Sequence, residues 1–380
     1  MKRRFLWFLL ILIGNSFFVN GQYISRAMLF ERPVLPADSN SISFTYQNLF
    51  YLRDFEYYNN IQTGWTAFGT WHDARLTLQP HQQIKFQVGV LAQKEFGDLD
   101  LNRIIPFFSF EYRKNNSRLL FGMLEGHQNH QLIEPMMHYD QVYEHPHEEG
   151  IQYKVNKKNM WLDVWLDWER RQLINDINPE KLTAGLSSKL NIGSKPTNWK
   201  LVAPTQIIVA HKGGQLNTLP VPVTTTVNYA QGLWFEWNNN NSSHWLQQIR
   251  TDAYYVGHGI LEAEKLQPYS KGHGILWNAF IQSKWNVFLS ASYWNGHHFI
   301  SAKGGQLYES VSTIFYQPNY TEPNRELFLV NLGYDKELLP QMFMNVRISP
   351  YRDFNNGINE ISAYLMFSYR GNFKLGKLKK

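Results

Sequence analysis

The stretch Ile361-Ser362-Ala363-Tyr364-Leu365-Met366-Phe367-Ser368-Tyr369-Arg370 alternates in polarity almost residue by residue. Ile361, Ala363, Leu365, Phe367 and Tyr369, followed by Phe373 and Leu375, fall on one side. Ser362, Tyr364, Ser368, Arg370, Asn372 and Lys374 fall on the other. Successive side chains of an extended chain point to opposite faces, so this is a strand with one apolar and one polar face. The same period recurs upstream. Ile84, Phe86, Val88, Val90 and Ala92 interleave with Lys85, Gln87 and Gly89, and Phe108, Phe110 and Tyr112 with Ser109, Glu111 and Arg113. Met160, Leu162, Val164, Leu166 and Trp168 alternate with Asp163, Asp167 and Glu169, and Val227, Tyr229, Leu233, Phe235 and Trp237 with Asn228, Ala230 and Glu236.

A soluble sandwich would alternate in the same way. Three features favour a membrane barrel instead. Many segments reach the ~9–11 residues a tilted strand needs to cross a bilayer. The polar faces carry formal charges at mid-strand. Tryptophans near segment ends (Trp161/Trp168, Trp234/Trp237, Trp285/Trp294) predict interfacial girdles. Composition agrees: 16% of residues are aromatic, yet the mean hydropathy is −0.40. After the first residues no run is apolar enough for a spanning helix, and a closed barrel is the other structure that satisfies its backbone in lipid. The expected fold is therefore all-β, a transmembrane antiparallel β-barrel. The net charge of +6 comes from scattered basic residues, which argues against nucleic acid and suits anionic lipid headgroups.

Lys2, Arg3 and Arg4 followed by the apolar run Phe5–Ile13 predict a signal peptide over residues 1–21, ending at Gly21 before Gln22. The chain has no cysteine, which excludes a disulfide-stapled secreted fold. Residues 22–40 hold Pro33 and Pro36 without periodicity and read as a periplasmic arm or a plug. The barrel is expected over 41–376, with a basic tail at 377–380. Short polar turns fall at 79–83, 114–117, 156–159, 192–199, 238–243, 283–284 and 335–341. Longer connections fall near 54–64, 97–103, 127–149, 171–180, 212–221, 257–271, 295–324 and 351–358. Seven short turns and eight long loops predict about 16 strands, with 14 or 18 as the neighbouring even counts. The strand-like segment Tyr308–Gln317 would make the count odd, so it is assigned to the seventh long loop.

Charges on the polar faces are expected to line the lumen: Lys85, Glu111, Arg113, Asp163, Asp167, Glu169, Glu236, Arg250, Asp252, Arg347 and Arg370. The third loop, 127–149, is long enough to fold into the barrel and is expected to narrow it. It is rich in histidine, and His145, His147 and Glu148 are candidate metal ligands, although their spacing fits no closed structural site. No cofactor is expected. Lys212-Gly213-Gly214-Gln215 recurs as Lys303-Gly304-Gly305-Gln306. Exposed amides in such loops can bind a polar group, and the plainer reading is shared turn chemistry. Arg53-Asp54-Phe55 echoes Arg352-Asp353-Phe354, in the first and last outer loops, which are expected to become neighbours when the barrel closes. No G-x-S-x-G, H-E-x-x-H or phosphate-loop motif occurs, so the sequence by itself predicts no enzyme.

The mature chain resembles uncharacterised porin-like barrels of the Bacteroidota in Tyr57-Tyr58-Asn59-Asn60, in the run from Glu125 to Pro135, in Asp167-Trp168-Glu169-Arg170 and in His211-Lys212-Gly213-Gly214-Gln215. The resemblance implies the outer membrane of a Gram-negative cell and supplies no catalytic residue. The first functional expectation is a channel for small polar solutes. The alternative is a closed barrel that binds surface polysaccharide or serves as an assembly partner, and the third reading is a barrel hydrolase. Expected partners are outer-membrane lipid and lipopolysaccharide, small polar solutes or polysaccharide, and the periplasmic chaperones and assembly machinery.

Overall fold

The computed structural model describes residues 25–30, 35–193, 198–214, 222–262 and 267–378. The expected signal peptide, residues 22–24 and 31–34 of the arm, Gln215 and the last two residues of the tail lie outside them.

Sixteen antiparallel strands close into one barrel. They are β1 (Ser41–Glu56), β2 (Thr66–His81), β3 (Ile84–Glu95), β4 (Arg103–Lys114), β5 (Ser117–Met123), β6 (Glu149–Lys157), β7 (Met160–Arg170) and β8 (Lys181–Asn191). After them come β9 (Trp199–Lys212), β10 (Thr224–Asn238), β11 (Leu246–Ile260), β12 (Lys271–Ser283), β13 (Val287–His297), β14 (Asn324–Leu339), β15 (Met342–Asp353) and β16 (Ile358–Lys377). Every strand pairs with its sequence neighbours, and β1 closes the ring on β16, with Phe50 opposite Phe367. Closure removes the free edges that lipid would not tolerate. No helix among the described residues is long and apolar enough to cross a membrane.

The turns explain the register. Asn115, Asn286 and Gln341 adopt positive φ at short turns, which matches the twist that tight hairpins require. Segment 308–317 follows a short helical turn, Gln306–Tyr308, and makes one isolated bridge, Val311 to Thr321, so it stays in its loop and the count remains even. The last outer loop is shorter than expected, because β15 ends at Asp353 and β16 begins at Ile358.

Exposed apolar residues such as Phe50, Val88, Phe121, Phe235, Ile275, Ile348 and Leu365 form the outer face. This band places the barrel in the outer membrane. The girdle expectation needs correction. Each tryptophan pair is separated by an odd number of residues, so period two sends its members to opposite faces. Trp168 and Trp285 are exposed, whereas Trp161, Trp234 and Trp294 are buried inside.

The lumen is filled at the level of the outer loops. Leu132, Ile133, Met136 and Met137 of the third loop pack with Phe299, Leu307 and Tyr308 of the seventh against Trp165, Tyr254, Trp294 and Leu327 of the wall. A second cluster joins Val142 and Tyr143 to Leu49, Tyr51, Trp71 and Met366, with Ala27 and Met28 of the N-terminal segment. Burying each such side chain contributes about 2 kcal/mol, so these loops form a core inside the barrel.

Candidate active site

The site grows from the way β5 ends. This strand has 7 residues, while β4 beside it has 12. Gly122 takes φ +89, and a side chain there would lie 2.2 Å from the Phe108 carbonyl oxygen. The chain therefore leaves the wall early and turns inward. β6 begins only at Glu149, so the wall between β4 and β7 is low on its outer side. The third loop descends there. Gln152 clasps its start, donating to the Glu125 carbonyl at 3.0 Å and accepting from the Glu125 amide at 2.9 Å.

Glu148 is the hub of the site. Its Oε1 accepts the His127 backbone N–H at 2.9 Å, and its Oε2 lies 2.8 Å from His130 Nε2. The other nitrogen of His130, Nδ1, lies 2.9 Å from Asp163 Oδ2. Gly126 permits the approach, since a side chain there would sit 2.5 Å from the Glu148 carboxyl carbon. Burial opposes a charge on His130, yet Glu148 and Asp163 outweigh it and raise the imidazole pKa to about 9. Glu148, despite its burial, is held well below the usual carboxylate range by His130 and His127.

His127 behaves differently. Burial, reinforced by the neighbouring His130 and His147, lowers its pKa to about 4 against the pull of Glu148. It is neutral at pH 7. Its Nδ1 stands 3.4 Å from Glu148 Oε1, and both ring nitrogens are buried. Its backbone holds φ +54, an uncommon conformation for a residue with a side chain. Strain of this kind concentrates at functional positions.

His127 faces a cavity of about 380 Å³ that also contacts His145, His147, Glu148, Asp167, Trp168, Arg170, Lys181, Thr183 and Lys303. The cavity lies beside the low stretch of wall, between the third loop and the outer ends of β7 and β8. Trp168 is exposed there. Lys303 bridges Glu169 at 2.6 Å, and Glu169 accepts from the Thr183 hydroxyl at 2.6 Å.

The charges expected along the lumen fall into separate groups. Lys85 pairs with Glu111 at 2.8 Å, and Glu111 reaches Arg118 at 3.5 Å. Arg113 sits opposite Arg118 on β5. Asp163, Asp167 and Glu169 gather at the site. Across the barrel, Glu236 faces Lys200 at 3.5 Å, and Arg250 lies 3.5 Å from Asp252. Arg347 stacks over Tyr364, and Arg370 over Phe343. His145 and His147 line the cavity while Glu148 turns to His127 and His130, and among the described residues no metal shell forms.

Neither sequence echo unites its copies. Arg53 pairs with Asp140 of the third loop at 3.3 Å, and Asp353 with Arg325 at 2.6 Å. Gly304 packs on Pro135, and the Gly305 amide donates to the Glu134 carbonyl at 2.8 Å. Gln306 meets Thr313. In the first copy, Gly213 takes φ +134 and Gly214 lies against Glu180. Lys212 ends β9, opposite Thr224. The Gly pair of the second copy thus serves loop packing, and its Gly305 amide is already occupied.

Nothing local in the sequence sets His127 apart from the other histidines of the third loop. The usable signal was the apolar set Leu132, Ile133, Met136 and Met137 inside a polar loop, which marks a segment that folds into a core.

A family model described as lipid A 3'-O-deacylase-type matches residues 34–378. The match overturns the expectation that the chain is not an enzyme, because that family is named for an ester-cleaving activity. No curated protein matches the chain. One similar solved structure is a loop L8 deletion mutant of OmpT, an outer membrane protein of Vibrio cholerae, at 11% identity, with 87% of this chain and 99% of that chain covered and a TM-score of 0.49. Two others are from Pseudomonas aeruginosa. OprD has 9% identity, 91% and 98% coverage and a TM-score of 0.48, and OpdK has 10%, 88% and 100%, and 0.48. At these values the solved barrels say nothing of this chain's activity.

Proposed function

The chain belongs to the lipid A 3'-O-deacylase-type family, and from that premise we propose that it hydrolyses an acyl ester of an outer-leaflet glycolipid in the His127 cavity. The observation that carries the reading is a neutral imidazole, 3.4 Å from a buried carboxylate, lining a 380 Å³ cavity beside a low stretch of wall. An acyl chain lying in the bilayer reaches that cavity past Trp168 without leaving the membrane.

The chemistry needs only this chain and water. His127 takes a proton from a water molecule as its oxygen attacks the ester carbonyl. Glu148, 3.4 Å from Nδ1, stabilises the imidazolium that forms. Lys181, on the same cavity, offsets the oxyanion charge. When the carbon–oxygen bond of the tetrahedral intermediate breaks, the leaving alkoxide takes the proton back from His127, and a carboxylic acid and an alcohol result. His130, fixed between Asp163 and Glu148, is a positioning residue. General-base catalysis of this kind contributes about 10²–10⁴-fold.

The channel reading is less well supported, because the third and seventh loops fill the lumen with apolar side chains. The test is mass spectrometry of lipid A from Gram-negative cells expressing the chain. Wild type should remove one acyl chain, and His127→Asn should leave the lipid intact while still assembling as a heat-modifiable barrel. Intact lipid A with assembled wild type would refute the reading.

A further inference from the structure

The ladder between β14 and β15 is interrupted. Leu329 pairs with Tyr351 and Leu332 with Ile348, and between them Val330 and Asn331 do not pair with Pro350 and Ser349, although each still pairs with the strand on its other side. The cause is local. Pro350 has no N–H to give, and proline inside a sheet removes a ladder bond. In lipid such a gap is costly unless something covers the freed groups.

The chain contains a second break of the same origin, which serves as an internal comparison. Between β9 and β10 the pairing lapses after Gln231–Thr205 and resumes at Trp234–Val202, beside Pro204. There Gln231 closes the gap from outside. It donates to the Pro204 carbonyl at 3.0 Å and accepts from the Thr205 hydroxyl at 2.7 Å. Among the described residues no side chain bridges the β14–β15 break in this way. Asn331 turns instead to Ser290 on β13 at 3.1 Å, and the Ser349 hydroxyl is buried without a partner.

Space lies on both sides of this seam. On the bilayer side a groove of about 410 Å³ runs over Phe328, Val330, Pro350 and Ile361, with Arg352 at its outer end. On the lumen side Asn331, Arg347 and Ser349 border a small polar cavity of about 40 Å³. The groove is apolar where the membrane is apolar. Arg352, which donates to the Gly357 carbonyl at 2.9 Å, is the cation at the outer end of the groove, with Glu360 also in its lining.

We propose that the β14–β15 seam is a lateral window: it seats one acyl chain of an outer-leaflet phosphate-bearing lipid in the outer groove, and at Pro350 it opens the lumen-side cavity to the bilayer. An acyl chain offers no hydrogen bond, so the backbone groups that Gln231 satisfies at the other break are left here to the lumen-side cavity. The seam lies on the opposite side of the ring from the low wall at β5 and β6, so it is a second lipid contact, independent of the hydrolytic site.

The absence of cysteine makes single labels unambiguous. Asn331→Cys, Val330→Cys and Thr77→Cys each carry a bimane label in the full-length protein. Each is reconstituted into phosphatidylcholine vesicles with or without brominated acyl chains, which quench on contact. Val330, on the outer face, reports lipid directly, and Thr77 reports the intact lumen wall. The label at Asn331, although on the lumen side, should be quenched nearly as much as that at Val330, while the label at Thr77 is not. Adding Pro350→Ala restores a donor to the ladder and should abolish quenching at Asn331, whereas Pro204→Ala should leave it in place. Heat-modifiable mobility verifies that each barrel is folded. An unquenched Asn331 label beside a quenched Val330 label would overturn the window. So would quenching at Asn331 that persists with Pro350→Ala.

Discussion

The His130 imidazole lies face to face on the Trp165 indole, with ring centroids 3.6 Å apart and planes 15° from parallel. The stack fixes the ring while Asp163 and Glu148 engage its two nitrogens. A loop residue is thereby bolted to two residues of β7. The charged imidazole is favoured by both carboxylates and by the indole face.

This arrangement makes the anchoring of the third loop pH-dependent. His130 has a folded pKa of about 9 against an ordinary value of 6.5. A group raised on folding stabilises fully below its unfolded pKa, and that stability is lost as pH rises through the folded one. The contribution is on the order of 3 kcal/mol. Thermal unfolding of wild type and His130→Gln should therefore differ most near pH 6 and converge above pH 9. A gap between the two that stays constant across this range would show that His130 is not held as a cation.

Hydrolysis should follow a bell-shaped pH profile. His127 must be neutral to accept a proton, and its pKa is lowered to about 4 by burial, so activity falls as pH drops through that value. On the alkaline side, loss of the His130 charge near pH 9 frees Glu148 to move away from His127. Fatty acid release measured across this range should show both limbs. His130→Gln should remove the alkaline limb and keep the acid one.

The barrel was legible because period two is a local property: the face of Leu365 follows from its immediate neighbours. The inward course of the third loop followed from its length and position, but the contacts that fill the lumen were not legible. His130 meets Asp163 across 33 positions, and Arg53 meets Asp140 across 87. No local pattern encodes such pairs. Parity could have corrected the girdle, since Trp161 and Trp168 cannot share a face of one regular strand. The site was hidden for a further reason. Its acid–base groups sit in an irregular loop whose course is set by one glycine, Gly122, and a short strand.

Gly126 should be intolerant of any side chain. A Cβ there would sit 2.5 Å from the Glu148 carboxyl carbon and 2.7 Å from Oε1. Glu148 would have to move away from His127, and a misplacement of ~1 Å costs on the order of 10²-fold in rate. Gly126→Ala should therefore assemble normally and lose most fatty acid release. Gly97, where an added Cβ meets nothing within 4 Å, supplies the comparison despite its positive φ. Gly97→Asn should leave the rate near wild type. Equal rates for Gly126→Ala and wild type would mean that Glu148 need not approach His127 so closely.

The wild-type protein should be silent in a planar bilayer. A barrel of this size has room for an aqueous lumen, but Leu132, Ile133, Met136 and Met137 occupy it, each no more than 4% exposed. Moving one of them into water costs about 2 kcal/mol, and the third loop is held further by the Arg53–Asp140 pair inside the barrel. Deleting residues 128–146 removes these side chains together with Asp140, while β5 and β6 stay joined through a shorter link. Discrete conductance steps should then appear. Met136→Asp should give briefer openings, because a carboxylate forced into that cluster favours a displaced loop. Steady conductance from wild type would show that the filled lumen still passes ions and would restore the channel reading. Silence from the deletion would place the seal on the seventh loop, where Phe299, Leu307 and Tyr308 remain against Trp294.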